Sequence, residues 1–380
     1  ICNKGAKALA RSLMVNRSLT VLDLRSNSIG PSGAKALADA LKKNQVLLSL
    51  SLQHNVIKEE GAAALAEALL TNRRLITLQP HTAGKSSACN AAVGNAHSSS
   101  RLRLSSNSVG DNGSVALAEA LKVNHSLQSL DLQSNSISNT GVSALTAALC
   151  SNKGLTDLNL RENSISKEGG PAIAHALRTN CTLRKLDLAA NLLHDEGGKA
   201  IALAMKENRA LTSLHLQWNF IQTQAAVALA QALQSNDSLA SLDLQENAIG
   251  DEGMAALAAA LKVNTTLADL HLQVASISAA GAQALAEALM VNNSLQVLDL
   301  RGNSISVAGA KAMANALKVN RSLRWLNLQE NSLGMDGAIC IATALRGNHG
   351  LTYVNLQGNR IGQSGAKMIS DAIRTNSPDC

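Results

Sequence analysis

Residues 19–46 read LTVLDLRSNSIGPSGAKALADALKKNQV, and residues 295–322 return almost the same line as LQVLDLRGNSISVAGAKAMANALKVNRS. Leu19, Leu22 and Leu24 set one row while Val21, Asp23 and Arg25 point the other way, the period-two pattern of a half-buried strand. Ala34, Leu37, Ala38 and Leu41 then recur at helical spacing, an apolar stripe that must bury against neighbours. Outward from this unit, Asn27, Asn55, Asn107, Asn135, Asn163, Asn191, Asn219, Asn247, Asn303, Asn331 and Asn359 fall at multiples of 28 residues, except for an interval of 52 between Asn55 and Asn107. The chain is therefore a repeat array of strand–helix units, and eleven of its thirteen strand positions keep all three apolar anchors.

Turn chemistry agrees with this assignment. Gly33 and its equivalents open each helix. A second asparagine column, Asn44, Asn72, Asn124 and Asn152 among them, closes it, and asparagine tolerates the left-handed backbone that a helix end commonly uses. The column starting at Asn27 is expected to hydrogen-bond the turn backbone and stack into a ladder. This pattern, LxxLxLxxN followed by a long helix, resembles the leucine-rich repeats of the ribonuclease-inhibitor type. The resemblance implies an α/β horseshoe solenoid, with parallel strands on the concave face and helices on the convex face.

Residues 1–380 read as a single domain of 28-residue units. Ile1 aligns with Ile29 and Gly5 with Gly33, so the chain opens inside a repeat and is expected to be a fragment lacking its N-terminus. Residues 80–101, PHTAGKSSACNAAVGNAHSSSR, are a disrupted repeat: Pro80 replaces a strand leucine and Cys89 a helix glycine. An inserted loop and a misread exon junction both fit. The second is preferred, because a structureless stretch inside a solenoid would leave its neighbours' edges uncovered.

The formal net charge is +7, carried mostly by Lys42, Lys122, Arg178, Lys206, Lys262, Lys318, Arg346 and Arg374, one column at helix C-termini where cations complement the helix dipole. Nucleic-acid contact along that ridge is the less favoured account. Six cysteines sit out of phase and form no CxxC pair or Cys/His cluster, which argues against a metal site and against a disulfide frame. Free thiols point to a reducing compartment, hence a cytoplasmic protein, and no membrane span is visible. Asn16, Asn112, Asn124, Asn180, Asn236, Asn264, Asn292 and Asn320 head N-x-[ST] triplets, most of them merely the helix-closing asparagine followed by the repeat's own Ser or Thr.

Catalytic chemistry is not supported. Gly84-Lys85-Ser86 imitates the end of a phosphate-binding loop but lacks the earlier glycine. His215 and His271 share a strand column with Asp187, Asp243 and Asp299, yet no nucleophile completes a catalytic set, and alternation keeps like charges two strands apart. No cofactor is expected.

A protein-binding surface is better supported, on a polar, mildly acidic concave floor that carries or adjoins all four aromatic residues of the chain. Trp218 and Phe220 flank Asn219, Trp325 and Tyr353 share one outward column, and Asp243, Glu246, Asp299 and Glu330 lie beside them. These eight are the candidate partner-binding residues, with Trp325 and Tyr353 the expected hot spot.

Several segments are more specific than the general repeat: NLLHDEGG at 191–198, LHLQWNFIQ at 214–222, SLDLQENAIGDEG at 241–253, LHLQVASIS at 270–278 and NLQENSLGMDGAICIATAL at 327–345. Together they resemble the C-terminal repeats of the CARD-containing NOD-like receptor family. The resemblance implies a cytosolic receptor whose upstream NACHT domain binds ATP. It further implies repeats that sense a ligand or hold the receptor closed, and a negative regulatory role in innate immune and T-cell signalling, including NF-kappaB output. The implied partners are proteins, the receptor's own upstream domain among them. A stand-alone ribonuclease-inhibitor-like scaffold gripping a basic partner is the alternative.

Overall fold

A computed structural model describes residues 1–72 and 101–375. They belong to two compact units, Ile1–Asn163 and Ser164–Cys380. In the first unit the order is α1 (Asn3–Val15), β1 (Val21–Asp23), α2 (Pro31–Lys43), β2 (Ser49–Ser51), α3 (Lys58–Thr71), β3 (Arg101–Arg103), α4 (Gly110–Val123), β4 (Ser129–Asp131), α5 (Asn139–Leu149) and β5 (Asp157–Asn159). The second unit runs α6 (Gly170–Thr179), β6 (Lys185–Asp187), α7 (His194–Met205), β7 (Ser213–His215), α8 (Thr223–Leu233), β8 (Ser241–Asp243), α9 (Gly250–Leu261), β9 (Asp269–His271), α10 (Ala279–Leu289), β10 (Val297–Asp299), α11 (Ser306–Val319), β11 (Trp325–Asn327), α12 (Gly334–Leu345), β12 (Tyr353–Asn355) and α13 (Gly362–Thr375). Within each unit, consecutive strands pair in parallel and consecutive helices pack side by side.

Register follows the leucines. Leu214, Leu242, Leu270, Leu298 and Leu326 lie opposite one another in adjacent strands and are fully buried. Alternate residues then face away, as the period-two reading required. In the first unit β2 pairs directly with β3, Leu50 against Leu102, so neighbouring strands are joined across the 52-residue interval. The edges on either side of the disrupted segment therefore cover each other, which removes the argument that a long insertion would leave them bare. The segment's own distinctive residues, Pro80, Gly84-Lys85-Ser86 and Cys89, lie outside the described residues.

Both asparagine columns tie one repeat to the next. Asn55 donates its amide to Leu24 O at 3.0 Å and Leu52 O at 2.9 Å, while its Oδ1 accepts Ile29 N–H at 2.9 Å. The same pattern recurs at Asn219 and Asn247, both buried. Helix-closing asparagines depart from expectation. Asn44 is extended (φ −79°, ψ 120°), not left-handed. Its Oδ1 accepts the N–H of Val46 and Leu47, and its amide reaches back to Leu13 O at 2.8 Å and Asn16 O at 3.1 Å. Asparagine is needed there for two-sided bonding between repeats. Its backbone tolerance is not used.

Positive φ occurs instead just before the ladder asparagine: Ser26, Trp218, Glu246 and Glu330 all lie between 54° and 58°. Gly302 and Gly358 fill that column in two repeats at lower conformational cost.

Helix starts are capped from the preceding repeat. Asp251 Oδ1 accepts Ser278 N–H at 2.8 Å and Gly281 N–H at 3.0 Å, and Asp111 and Asp195 treat the next helix in the same way. Gly281 is small for this reason: a Cβ there would lie 2.6 Å from Asp251 Oδ1.

Replacing the buried Asn247 by Ala should lower unfolding free energy by about 1–3 kcal/mol, since it leaves buried backbone groups unpaired. Urea denaturation measures this. Asp251→Ala should cost about 1 kcal/mol at neutral pH. Burial raises the Asp251 carboxyl, but the Ser278 hydroxyl and the N–H groups of Ser278 and Gly281 outweigh it and hold it below its ordinary value. Its contribution is thus present above the unfolded-state value and is lost as pH falls through the folded one. The gap between wild type and Asp251→Ala should close in acid.

Candidate functional site: the strand face of the second unit

Seven strands, β6 to β12, present their outward side chains as ordered columns, because parallel in-register pairing places equivalent residues beside one another. The first outward column ends with Trp325 and Tyr353 on adjacent strands. Their rings stack with centroids 5.1 Å apart and an interplanar angle of 3°. Strand spacing imposes this separation, close to the ordinary 4.7–4.9 Å between neighbouring strands. Tyr353 is exposed and Trp325 half-buried. The pair is thus a flat aromatic ledge whose geometry the backbone fixes, and the mutual stacking is worth about 0.5–1.5 kcal/mol beyond area burial.

The next column reads Asp187, His215, Asp243, His271, Asp299, Asn327. His215 Nδ1 lies 3.4 Å from Asp187 Oδ2, and its Nε2 is 3.0 Å from Ser213 Oγ. Asp299 is buried; its carboxylate accepts Arg301 N–H at 3.0 Å and the Asn327 amide at 3.2 Å. Burial pushes the Asp243 carboxyl above its ordinary value, against the opposing pull of the Gln245 N–H, His271 and His215, while Asp187 adds to the rise. The column is a shared hydrogen-bonding and charge-spacing array. Beside it, the Oε1 atoms of Gln217 and Gln273 are buried with no hydrogen-bond partner.

The eight sequence-derived candidates do not form one cluster. Trp325, Tyr353, Asp243 and Asp299 lie on the strand face. Glu330, in the turn after β11, is 3.6 Å from Arg301 and accepts the Gln329 amide at 2.8 Å. Trp218, Phe220 and Glu246 sit in turns where strands give way to helices, all three with left-handed backbones. Phe220 stacks on His194 at 5.3 Å and 18°. No period-two reading could place Trp218 and Phe220, since both lie beyond the strand.

The basic ridge is largely compensated by acids of the same or the next repeat: Lys42 reaches Glu67 at 3.0 Å, Arg178 reaches Glu207 at 3.5 Å and Lys262 reaches Glu287 at 3.7 Å. Asn124, Asn180, Asn236, Asn264, Asn292 and Asn320, which head glycosylation triplets, are buried and committed to backbone bonds. Among the described residues, no group of three or more His, Cys, Asp or Glu could hold a metal ion, and no helix is long and apolar enough to cross a membrane.

A family model described as the NLRC3 LRR domain matches residues 1–380. The chain belongs to this family of leucine-rich-repeat domains. No curated protein matches it. Among solved structures, it is similar to an internalin (inlF) of Listeria monocytogenes, at 18% identity and a TM-score of 0.53, covering 97% of this chain and 92% of that one. It is similar also to the yeast Rad7 and Elc1 complex, at 14% identity and a TM-score of 0.52, covering 97% and 85% respectively. At these identities the likeness establishes the leucine-rich-repeat fold.

Asp243→Asn should raise stability at neutral pH. A carboxyl whose folded value is raised favours folding below its unfolded value, and loses that advantage as pH rises through the folded one. The neutral amide avoids the loss, so the gain should vanish in acid. Thermal melts of both proteins across pH 3–8 follow the expected range of carboxyl titration.

Proposed function

We propose that this chain is the ligand-sensing and autoinhibitory protein-interaction region of a cytoplasmic NOD-like receptor that negatively regulates innate immune and T-cell signalling, NF-kappaB output included. Membership of the NLRC3 repeat family supports the receptor context. The observation that carries the binding role is the stacked Trp325–Tyr353 ledge on the strand face. A rigid aromatic surface loses little conformational entropy when a partner covers it, and such residues dominate interface energetics.

In this mechanism the strand face binds the receptor's own upstream ATPase domain in the closed state. An external protein ligand preferring the open state shifts the population by its differential affinity. The repeats contribute recognition, and ATP chemistry belongs to the upstream domain. A protein partner is favoured over nucleic acid because the strand face that ends in Trp325 and Tyr353 carries Asp187, Asp243 and Asp299 in its next column, whereas much of the basic ridge is paired with acids.

Trp325→Ala and Tyr353→Ala should each weaken binding of the repeats to the separately produced ATPase domain by about tenfold or more. Unfolding free energy should fall by about 0.5–1.5 kcal/mol for the lost stack plus the area buried with it, leaving both variants folded. Unchanged affinity in both variants overturns the assignment of the hot spot.

A further inference from the structure

We propose that the second unit associates side by side with a second copy of the chain, the edge where its helices begin docking on the edge where they end. Each repeat of this unit passes from strand to helix at one edge and from helix back to strand at the other, so the helices α6 to α13 all point the same way. The starting edge carries Glu196, Glu246, Glu252 and Asp336. The ending edge carries Lys206, Lys318 and Arg346. Side chains of these signs are favoured at helix ends, and a full charge exceeds the roughly half-unit charge of the helix terminus, so the two edges carry opposite potentials.

Both edges also expose apolar side chains in adjacent repeats. Leu192 and Phe220 occupy one column at the starting edge, where Ser276, Ser304 and Ser332 stand in later repeats, and Trp218 lies beside them. Phe220 is 57% exposed and holds φ at 56°, the left-handed conformation this column also has at Ser276 and Ser332, so a large apolar ring stands where later repeats place a small polar residue. At the ending edge Val263, Val291 and Val319 form a column through three successive repeats, with Val291 56% exposed. Isolated exposed apolar residues are ordinary, but rows of them framed by charge mark interaction surfaces.

A second copy fits these surfaces better than an unrelated partner. The edges are opposite in charge, each has an apolar centre, and both belong to one array, so they share one repeat spacing. Contacts made in one repeat therefore recur in the next. Such an interface is heterologous: one copy's starting edge meets the other's ending edge, leaving a free edge of each kind. Growth beyond a dimer follows from the same contact.

The test is sedimentation velocity of the full chain from micromolar to about 100 µM, at roughly 0.05 and 0.5 M salt. Dimers and larger species should appear as concentration rises and recede at high salt. Phe220→Arg at one edge and Val291→Asp at the other should each weaken association about tenfold. Circular dichroism melts confirm that both variants fold. An equimolar mixture of the two variants should restore dimers and no larger species, because each variant keeps the edge the other lacks. A wild-type chain that stays monomeric at the highest concentration overturns the proposal. So do folded variants that associate like wild type, or a mixture that fails to restore dimers.

Discussion

Everything in this fold depends on the carboxamide of asparagine serving two repeats at once. In Asn55 and Asn247 the side-chain N–H group satisfies carbonyls of its own and the preceding turn, while the side-chain oxygen receives an N–H from the preceding repeat. A buried backbone group without a partner costs about 1–3 kcal/mol, so each amide makes a close turn compatible with burial. Asn44 and its equivalents do the same at the helix end. Leucine burial favours stacking of repeats, but only these directional bonds set how one repeat sits on the next. At Ala275 the ladder side chain is missing. Asn303 still accepts the N–H of Ala275 and Ile277, so the loss is confined to one rung.

Function follows from the same regularity. Since backbone register is fixed, any side chain placed on an outward column is presented at a set spacing without a pocket being built for it. The Trp325–Tyr353 stack is one result, and the Asp–His alternation through Asp187, His215, Asp243 and His271 is another. A recognition surface can thus change residue by residue while the leucine core stays constant. Parallel helices add a second consequence: their aligned dipoles select acids at one edge and bases at the other, polarising the unit across its width.

The period, the strand register and the apolar helix stripe could be read directly from the chain, because each depends on neighbours at most a few positions away. The columns containing Trp325 and Tyr353 were equally legible, since a fixed repeat length converts sequence spacing into spatial adjacency. Less could be read where a residue serves another repeat. Asp251 looks like an ordinary first-turn acid of α9, yet it caps the next helix through Ser278 and Gly281. Asn44 matches a left-handed helix end by composition, whereas its extended backbone follows from bonds to Leu13 and Asn16. Trp218 and Phe220 were grouped with the strand face by proximity in sequence. Both instead lie in the left-handed turn between β7 and α8, at the edge where the helices begin.

By itself the sequence determined the repeat, its strand and helix halves and the residues facing outward, since hydrophobic periodicity is a local property that one repeat already contains. Tertiary structure alone decided the direct pairing of β2 with β3 across 52 residues, the capping of each helix from its neighbour and the separation of the aromatic residues into a ledge and an edge. Those outcomes depend on backbone groups of one repeat reaching side chains of another. Such partners exist only once the repeats have stacked.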